Sequence, residues 1–447
     1  MIRRLLVANR GEIAVRVVRA ARDLGIETVA IFSEPDRGAR HTRVADRAVC
    51  IGPASAVQSY LHHDRVLAAA DALECDALHP GYGFLAEDAG FAARCADAGV
   101  IWVGPSADVI ERMGDKTAAR TTMASADVRV VPGSEGTLKS ADEAAELAAE
   151  MGFPVLLKAR AGGGGRGMRV VGAPEAVAGS FRAAQGEARE AFGNGDLYVE
   201  KYLPRVRHVE VQVLADGDEQ AIHLGERDCS IQRRHQKLLE ESPSPGLPAQ
   251  VRAELGEAAV RAAGAVGYQS AGTIEFLYDP EAEQAYFIEM NTRVQVEHPV
   301  TEMLTGVDIV AWQLRIAGGE PLGLAQDEIE MSGHVIECRI NAEDADRDFL
   351  PVPGTLTRFE VPGGPGVRID THCETGALVT PHYDSLLAKV IVHGLDRDEA
   401  RARMLRALGE LEVEGVPTTR DFHRRLLEHR RFRDADIWTR FLEEVTV

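Results

Sequence analysis

The sequence predicts a protein of mixed α/β and α+β class with two to four lobes. Its 447 residues are too many for one compact core. Near the N-terminus, apolar runs at 2–8 and 26–32 flank a segment, 13–24, whose apolar residues recur at helical spacing. Further along, neighbouring strand candidates are joined by polar turns rather than helices, which is typical of hairpins.

The strand–helix alternation extends through an apolar stretch at 100–103. Residues 1–113 are therefore predicted to form a doubly wound α/β lobe. A second lobe begins near Gly114 and contains a helix-like stretch at 253–265, followed by strand candidates at 272–277 and 286–291. The last region begins near Ser332 and alternates strands with Pro/Gly turns before a charged, helical tail.

Composition excludes several classes of function. With a formal net charge of −20, the chain lacks the overall basic balance with which proteins neutralise nucleic-acid phosphates. No apolar run approaches the ~20 residues that cross a bilayer, and the N-terminus enters a strand rather than a long signal-peptide core. The cysteines are scattered, without a CxxC or zinc-like pattern. We expect a soluble, cytoplasmic protein with reduced thiols and no nucleic-acid or membrane partner.

The most distinctive local feature is a run of four glycines at 162–165, between strand candidates at 153–158 and 169–171. Glycine lets a backbone approach phosphates closely. The spacing fits neither a Walker A loop nor a Rossmann fingerprint, since a strand follows the run. Lys158, at the end of the first strand, suits an ATP phosphate. The alternative is a flexible loop that binds nothing.

Two carboxylates lie within otherwise apolar strands. Glu275 stands between apolar residues of the first strand, and Glu289 stands in the second, two residues before Asn291. A buried carboxylate is costly unless something compensates its charge. Magnesium prefers hard oxygen ligands and often shares them with substrate phosphates, so the pair predicts a metal site. The alternative is that each glutamate pairs with a nearby arginine.

A third pattern follows at 291–299. In an extended strand, Arg293, Gln295 and Glu297 would share one face, while the valines between them would share the other. A guanidinium, an amide and a carboxylate on one face can bind a small oxyanion and remove its proton. A solvated edge strand would show the same alternation.

Basic side chains form a further candidate site around His208 and the run at 232–237. Basic runs are usually solvated surface, but in an acidic protein a local cluster can gather anionic substrates. The turn at 79–83 contains Tyr82, whose ring could serve packing alone.

Together these segments resemble the biotin carboxylase family of the ATP-grasp superfamily, over nearly the whole chain. The resemblance rests on 6–14 (LVANRGEIA), 79–85 (HPGYGFL), 113–116 (MGDK), the glycine run and 289–302 (EMNTRVQVEHPVTE). The last of these is highly specific, whereas the glycine run alone is not. A later segment, 337–344 (ECRINAED), separates biotin-dependent carboxylases from most other ATP-grasp enzymes.

The resemblance implies an ATP-grasp fold with three lobes. These are an N-terminal doubly wound α/β lobe at 1–113, an ATP-grasp region at 114–330 with a small lid at about 131–203, and a C-terminal biotin carboxylase lobe at 331–447. The implied contacts of ATP and its phosphates are Lys116, Lys158, Gly164, Gly165, His208, Gln232 and His235. The backbone of Glu200, Lys201, Tyr202 and Leu203 would hold adenine. Glu275 and Glu289, assisted by Asn291, would bind Mg²⁺ or Mn²⁺.

The implied reaction is carboxylation of biotin with ATP and bicarbonate, through carboxyphosphate. The implied bicarbonate ligands are Lys237, Arg293, Gln295 and the amide of Val296. Glu297 would be the base that takes the bicarbonate proton. Arg339 would stabilise the biotin enolate, and Tyr82 and Asp384 would line the biotin end of the pocket.

The implied partners are a biotin carboxyl carrier protein, carboxyltransferase subunits and a second copy in a homodimer. Acetyl-CoA carboxylation for fatty acid synthesis is the default pathway, with propionyl-CoA and pyruvate systems still open. The chain has no Met-Lys-Met biotinylation motif and no carboxyltransferase segment. We therefore expect it either to use a separate carrier or to be a piece of a larger carboxylase.

The sequence departs from the family pattern at three places and leaves two rival functions. Ala161 stands where relatives often have glycine, the turn at 279–285 is longer than in some relatives, and Pro365 replaces an aromatic residue in a turn connected with the dimer contact. One rival is another ATP-grasp carboxylase or ligase with a non-biotin acceptor, which would lack Arg339 in these surroundings. The other is a non-catalytic nucleotide-binding regulator, which the intact Glu297 and Arg293 oppose.

Overall fold

The computed structural model describes residues 1–160, 167–217, 220–234 and 236–447. The described chain forms one parallel sheet of five strands, one antiparallel sheet of three strands and one antiparallel sheet of eight strands, besides short two-stranded ribbons. Each of the larger sheets has helices packed against it. This mixture of parallel and antiparallel sheets confirms the predicted α/β and α+β class.

The N-terminal lobe alternates strands and helices, as predicted. Its elements are β1 (Arg4–Val7), α1 (Gly11–Asp23), β2 (Glu27–Ser33), α2 (Arg40–Val44), β3 (Arg47–Gly52), α3 (His63–Ala72), β4 (Ala77–His79), α4 (Ala89–Asp97), β5 (Ile101–Trp102) and α5 (Ala107–Gly114). The parallel strands lie in the order β3-β2-β1-β4-β5. β1 is central and buried on both faces, which explains its uninterrupted apolar sequence. Gly11 begins α1 with a φ of +68°, a value that favours glycine.

A small antiparallel sheet follows. Its region comprises α6 (Lys116–Ser125), α7 (Ala141–Met151), β6 (Val155–Ala159), β7 (Met168–Val171), α8 (Val177–Phe192) and β8 (Leu197–Lys201). β6 pairs antiparallel with both β7 and β8, so the predicted hairpin is confirmed, although the glycine run lies outside the described residues. Leu157, Phe181 and Val199 belong to an apolar core that this small sheet shares with α7 and α8.

The large sheet begins in the next segment. That segment comprises β9 (Arg207–Asp216), β10 (Ala221–Arg233), β11 (Gln236–Ser242), α9 (Ala249–Val266), β12 (Gln269–Asp279), β13 (Gln284–Asn291), α10 (His298–Thr305) and α11 (Ile309–Ala317). The predicted pair of strands joined by a polar turn is confirmed as β12 and β13. α9 packs on β9 and β10 through an apolar face that includes Leu255 and Ala259.

The C-terminal region completes the large sheet. It comprises β14 (His334–Asn341), β15 (Glu343–Asp344), β16 (Leu350–Pro351), β17 (Gly354–Thr355), β18 (Arg358–Glu360), β19 (Val367–Thr371), β20 (Leu378–Val379), β21 (Leu386–Gly394), α12 (Arg397–Glu410), β22 (Glu412–Glu414), α13 (Arg420–Glu428), α14 (Arg430–Arg433) and α15 (Phe441–Glu444). The large sheet has the order β13-β12-β9-β10-β11-β14-β21-β19. One hydrogen-bonded sheet therefore continues past residue 331.

The expectation of a strand through 293–297 is wrong. β13 ends at Asn291 and α10 begins at His298, with irregular backbone between them. Some backbone carbonyls there bond to side chains, and none pairs with a neighbouring strand among the described residues. The Gln295 carbonyl lies 2.7 Å from His298 Nδ1, and the Val296 carbonyl accepts from Lys389 at 2.8 Å. The alternation of polar and apolar residues thus arises in a segment outside the sheet.

Helix length bears on membrane insertion. The longest described helix, α9, has 18 residues and includes Arg252, Glu254 and Glu257. In the ranges that the structure describes, no helix is both long and apolar enough to span a bilayer.

Arg227 is a fully buried cation that links three elements of the large-sheet region. It donates to Glu210 at 2.7 Å, to Gln212 at 2.8 Å and to Thr301 at 2.9 Å. Arg227→Met is expected to lower the free energy of unfolding by about 3–5 kcal/mol, because it leaves buried polar partners without their cation. Urea denaturation measures this loss. The exposed Arg22→Met should change stability by less than about 1 kcal/mol, and an equally small effect of Arg227→Met would contradict the assignment.

Candidate active site

A cleft of about 1210 Å³ is lined by residues from the N-terminal lobe, the small sheet and the large sheet. The sequence-predicted site residues that line it are Tyr82, Lys116, Lys158, Glu200, Lys201, Tyr202, Leu203, His208, Gln232, Lys237, Glu275, Glu289, Asn291, Arg293, Gln295, Val296, Glu297, Arg339 and Asp384. Three more predicted residues, Gly164, Gly165 and His235, lie outside the described residues. The structure therefore brings every described member of the predicted set to one cleft.

Three glutamates lie side by side on one face of the large sheet. Glu275 of β12 is paired with Glu210 of β9 on one side and with Glu289 of β13 on the other. Directly opposed residues of antiparallel strands project from the same face, and like charges in such positions repel. This row of carboxylates therefore requires cations beside it.

Lys237 of β11 supplies the central positive charge. Its ammonium donates to Glu210 at 2.5 Å, to Glu275 at 2.9 Å and to Glu297 at 2.7 Å. Burial lowers the pKa of Lys237, but attraction by the three carboxylates outweighs burial and raises it well above its ordinary value. For the carboxyl of Glu297, burial acts in the opposite direction and raises the pKa. Attraction by Lys237 and Arg339 outweighs burial and holds that pKa well below its usual range. Both groups are ionised at neutral pH.

Arg339 of β14 is shared between two buried carboxylates. It donates to Glu297 at 2.9 Å and, from Nε, to Glu240 at 2.7 Å. Burial raises the pKa of Glu240 to about 7 despite the attraction of Arg339. The two carboxylates thus differ in proton affinity although they share one guanidinium, since Glu297 also contacts Lys237.

The irregular segment after β13 adds a second guanidinium. Arg293 donates to the side-chain oxygens of Gln295 at 2.9 Å and Asn291 at 3.0 Å. The amide nitrogens of Gln295 and Asn291 each donate to Glu275 at 3.0 Å. Lys237, Gln295 and Asn291 therefore surround Glu275 with cationic and amide donors, and Arg293 bonds the two amides from the other side. Guanidinium, ammonium and amide groups of this kind hold a small oxyanion.

Hard oxygen donors lie along the same edge of the sheet. Glu275 and Glu289 are opposed across β12 and β13, and Asn291 offers an amide oxygen. Lys116 Nζ lies 3.4 Å from the half-exposed Glu289, while His208 Nε2 lies 3.0 Å from Glu275. Two carboxylates and an amide oxygen are ligands that Mg²⁺ prefers, so this donor set fits that ion.

Lys158 faces the cleft from the small sheet. It donates to Glu200 of the neighbouring strand at 2.6 Å, and Arg120 donates to the same carboxylate at 3.0 Å. The Lys158 and Glu200 side chains are each largely buried, so they are held together before any ligand enters. Lys158, which lines this end of the cleft, provides positive charge for phosphates.

The chain leaves the small sheet through residues 201–203. The amides of Lys201 and Tyr202 donate to the carbonyls of Pro132 at 2.8 Å and Pro154 at 3.2 Å. Within the described residues, the Leu203 amide makes no such backbone bond. It is therefore the amide of this segment that remains available to a ligand.

The opposite end of the cleft is formed by the N-terminal lobe and the C-terminal region. The hydroxyl of Tyr82 donates to the buried carboxylate of Glu12. Asp384 is largely exposed and lies 3.7 Å from Arg10. Tyr82 and Asp384 thus lie apart from the small sheet, where a second substrate could approach.

Sequence reasoning missed two buried glutamates, Glu210 and Glu240. A signal for Glu210 was present, because His208, Glu210 and Gln212 alternate with valines along β9 and must share one face. Glu240 is followed directly by another glutamate, in a strand whose only apolar residues are the two leucines before it. Only its contact with Arg339, 99 residues away in sequence, explains its position.

A small antiparallel sheet that bears Lys158, opposite a large sheet that bears paired glutamates, defines an ATP-grasp enzyme. Three family models match the chain in succession. The N-terminal domain of biotin carboxylase matches residues 1–110, the ATP-binding domain of the carbamoyl-phosphate synthase L chain matches 115–325, and the C-terminal domain of biotin carboxylase matches 337–444.

Relatives of known name and structure are similar over nearly their whole length. Biotin carboxylase 1 of Bacillus subtilis is 54% identical over 447 residues, which are 100% of this chain and 99% of the relative. The biotin carboxylase of Pseudomonas aeruginosa is 52% identical over 99% of this chain and 98% of its own. The crystal structure of biotin carboxylase from Campylobacter jejuni superposes with a TM-score of 0.97 at 46% identity, covering 100% of this chain and 99% of that one. The chain belongs to the biotin carboxylase family.

Lys237→Met should destabilise the protein in a pH-dependent manner. Without the ammonium, the pKa of the neighbouring carboxyls in the folded protein rises above its value in the unfolded chain. The folded protein then binds more protons, so the free energy of unfolding falls as pH rises through the raised pKa. The melting temperature is expected to fall further at about pH 8 than at about pH 5.5. The exposed Lys139→Met should have the same small effect at both values. An equal drop for Lys237→Met at both pH values would show that the ammonium does not control these carboxyls.

Proposed function

We propose that this protein carboxylates biotin on a carrier protein, using ATP and bicarbonate, through carboxyphosphate. The observation that carries the proposal is the convergence of Lys237 and Arg339 on Glu297, next to Arg293 and Gln295. This arrangement provides a base, an oxyanion site and a second cation in one cleft. The biotin carboxylase domain of 2-oxoglutarate carboxylase from Hydrogenobacter thermophilus, which was solved with MgADP and bicarbonate, supports it with a TM-score of 0.95 and 50% identity over 99% of this chain and 98% of that one.

ATP is proposed to lie between the small sheet and the large sheet. Lys116, Lys158, His208, Gln232 and the glycine run with His235 would surround its phosphates, and the Leu203 amide would face adenine. Glu275, Glu289 and Asn291 would hold Mg²⁺ or Mn²⁺. When bound, the ion supplies positive charge that offsets the phosphate charge during phosphoryl transfer.

In the first stage, bicarbonate binds among Lys237, Arg293, Gln295 and the Val296 amide. The pKa of Glu297 is low because Lys237 and Arg339 attract its carboxylate. An anion that enters among these cations shares their attraction, so Glu297 becomes more basic as bicarbonate binds. Glu297 takes the bicarbonate proton, and the resulting oxyanion attacks the γ-phosphorus. A new O–P bond forms, the bond to ADP breaks, and carboxyphosphate and ADP result.

In the second stage, carboxyphosphate breaks down to CO₂ and phosphate. That phosphate takes the proton from the biotin ureido nitrogen, which then attacks CO₂. Arg339 stabilises the negative charge on the ureido oxygen, a task that suits a permanently charged guanidinium. Tyr82 and Asp384 would line this end of the cleft.

The proposed partners are a biotin carboxyl carrier protein, carboxyltransferase subunits and a second copy of the chain. The Hydrogenobacter thermophilus domain was solved as a dimer, which supports the second copy. We take acetyl-CoA carboxylation, which supplies fatty acid synthesis, as the default pathway. The small sheet has an apolar core of its own, which supports a lid at about 131–203 within lobes at 1–113, 114–330 and 331–447.

Glu297→Gln is expected to reduce bicarbonate-dependent ATP hydrolysis by about 10²–10⁴-fold, because the amide cannot accept the proton. Phosphate release with and without bicarbonate and free biotin measures the effect. The wild type should require bicarbonate and be stimulated by biotin. ATP hydrolysis that is indifferent to biotin in the wild type would indicate an ATP-grasp enzyme with another acceptor.

Arg339→Ser is expected to impair biotin carboxylation much more than bicarbonate-dependent ATP hydrolysis. Glu297 keeps Lys237 as a partner in this variant, so the first stage continues, whereas the enolate loses its cation. Fixation of labelled bicarbonate on free biotin, compared with phosphate release, gives the ratio. Equal loss of both activities would mean that Arg339 also serves the first stage.

A further inference from the structure

Lys389 of β21 is a fully buried lysine that is not among the sequence-predicted site residues. Its ammonium donates to the Val296 carbonyl at 2.8 Å and lies 3.1 Å from Glu12 and 3.9 Å from Asp370. A buried ammonium is costly unless it is paired and hydrogen-bonded. Its place in the fold therefore depends on these partners.

Two contacts of Lys389 lead to two different parts of the cleft. The Val296 carbonyl belongs to the segment that carries the oxyanion donors and the proposed base. Glu12, in contrast, accepts a hydrogen bond from the hydroxyl of Tyr82, at the proposed biotin end. The Lys389 ammonium thus contacts the backbone of the segment that carries the proposed base and a carboxylate that is bonded to Tyr82.

The contact with the Val296 carbonyl restricts the backbone around the base. A trans peptide unit is planar, and its C=O and N–H point in opposite directions. Holding the Val296 carbonyl therefore fixes the direction of the Glu297 amide. His298, whose Nδ1 lies 2.7 Å from the Gln295 carbonyl, fixes the Val296 amide in the same way. The two bonds together define the backbone that presents the base.

The charges around Lys389 favour the ammonium form. Burial lowers the pKa of Lys389, but Glu12, Glu337 and Asp370 attract the charge and raise the pKa overall, against repulsion from Arg368. Both carboxyl oxygens of Glu337 are buried without a hydrogen bond to any described residue. Lys389 therefore faces acids from several elements, and it shares Asp370 with Arg368.

We propose that Lys389 is a positioning residue for both stages of the reaction, through Val296 at the bicarbonate end and through Glu12 and Tyr82 at the biotin end. This proposal rests on the proposed function. Lys389 itself does not line the cleft, so its effect on the reaction is indirect. The two branches make separate predictions, because each passes through a different contact of the same ammonium.

The test uses Lys389→Met in the full chain, with ATP hydrolysis and biotin carboxylation measured separately. The KM for bicarbonate is expected to rise by about tenfold or more, and less biotin should be carboxylated per ATP, because a small displacement of the base is costly. The KM for ATP should stay within about twofold, since the nucleotide end is not held by Lys389.

Glu12→Ala tests the second branch alone. It removes the link between Lys389 and Tyr82 but leaves the bond to the Val296 carbonyl in place. The KM for biotin should rise by about tenfold, while the KM for bicarbonate stays within about twofold of the wild-type value. A rise in both KM values would overturn the division into two branches. Because this test does not use Lys389→Met, it can be made even if that variant fails to fold.

Two controls separate positioning from stability. Val66→Ala removes buried methyl groups in the N-terminal lobe and lowers the melting temperature away from the cleft, and Lys139→Met removes an exposed ammonium. Neither should raise the KM for bicarbonate. The proposal is overturned if Lys389→Met leaves that KM unchanged or raises the KM for ATP equally. Absence of biotin-stimulated, bicarbonate-dependent hydrolysis in the wild type would instead refute the proposed function.

Discussion

The buried ion cluster around Glu297 is the interaction on which the other groups of the site depend. Glu297 has no exposed surface, and its carboxylate is held by Lys237 on one side and Arg339 on the other. The same lysine compensates Glu210 and Glu275. Removing a partner from such a cluster is expensive, because the remaining charges cannot reach water. The cluster therefore requires the strands that carry it to stay in register.

The continuous large sheet meets that requirement. Lys237 is on β11 and Arg339 is on β14, which is its direct neighbour, although the two residues are about a hundred positions apart in sequence. The row of glutamates occupies the three strands at the other end of the same sheet. Groups placed on paired strands are held more firmly than groups on loops. The small sheet has its own apolar core, so it can hold Lys158 over the cleft as a separate unit.

Local patterns predicted much of the fold and site. Helical spacing predicted α1, and the strands around the glycine run and around Glu275 and Glu289 were predicted as hairpins. The alternation of polar and apolar residues at 293–297 wrongly predicted a strand. The same alternation is present in this irregular segment, where side chains rather than a neighbouring strand bond to the carbonyls of Gln295 and Val296. The lysine that donates to the Val296 carbonyl lies 93 residues away from it, beyond any local pattern.

The amino-acid sequence was sufficient to identify the family, because motifs from 6–14 to 337–344 each retain the residue types that ATP, an oxyanion and biotin would require. It also indicated which side chains could meet, since their spacing within strands places them on shared faces. The charge states of those side chains depend on the tertiary structure. Ionisation of Glu297, the raised pKa of Glu240 and the burial of Lys389 all follow from neighbours on other strands. Burial and charge pairing are properties of distance in space, which a local sequence pattern does not contain.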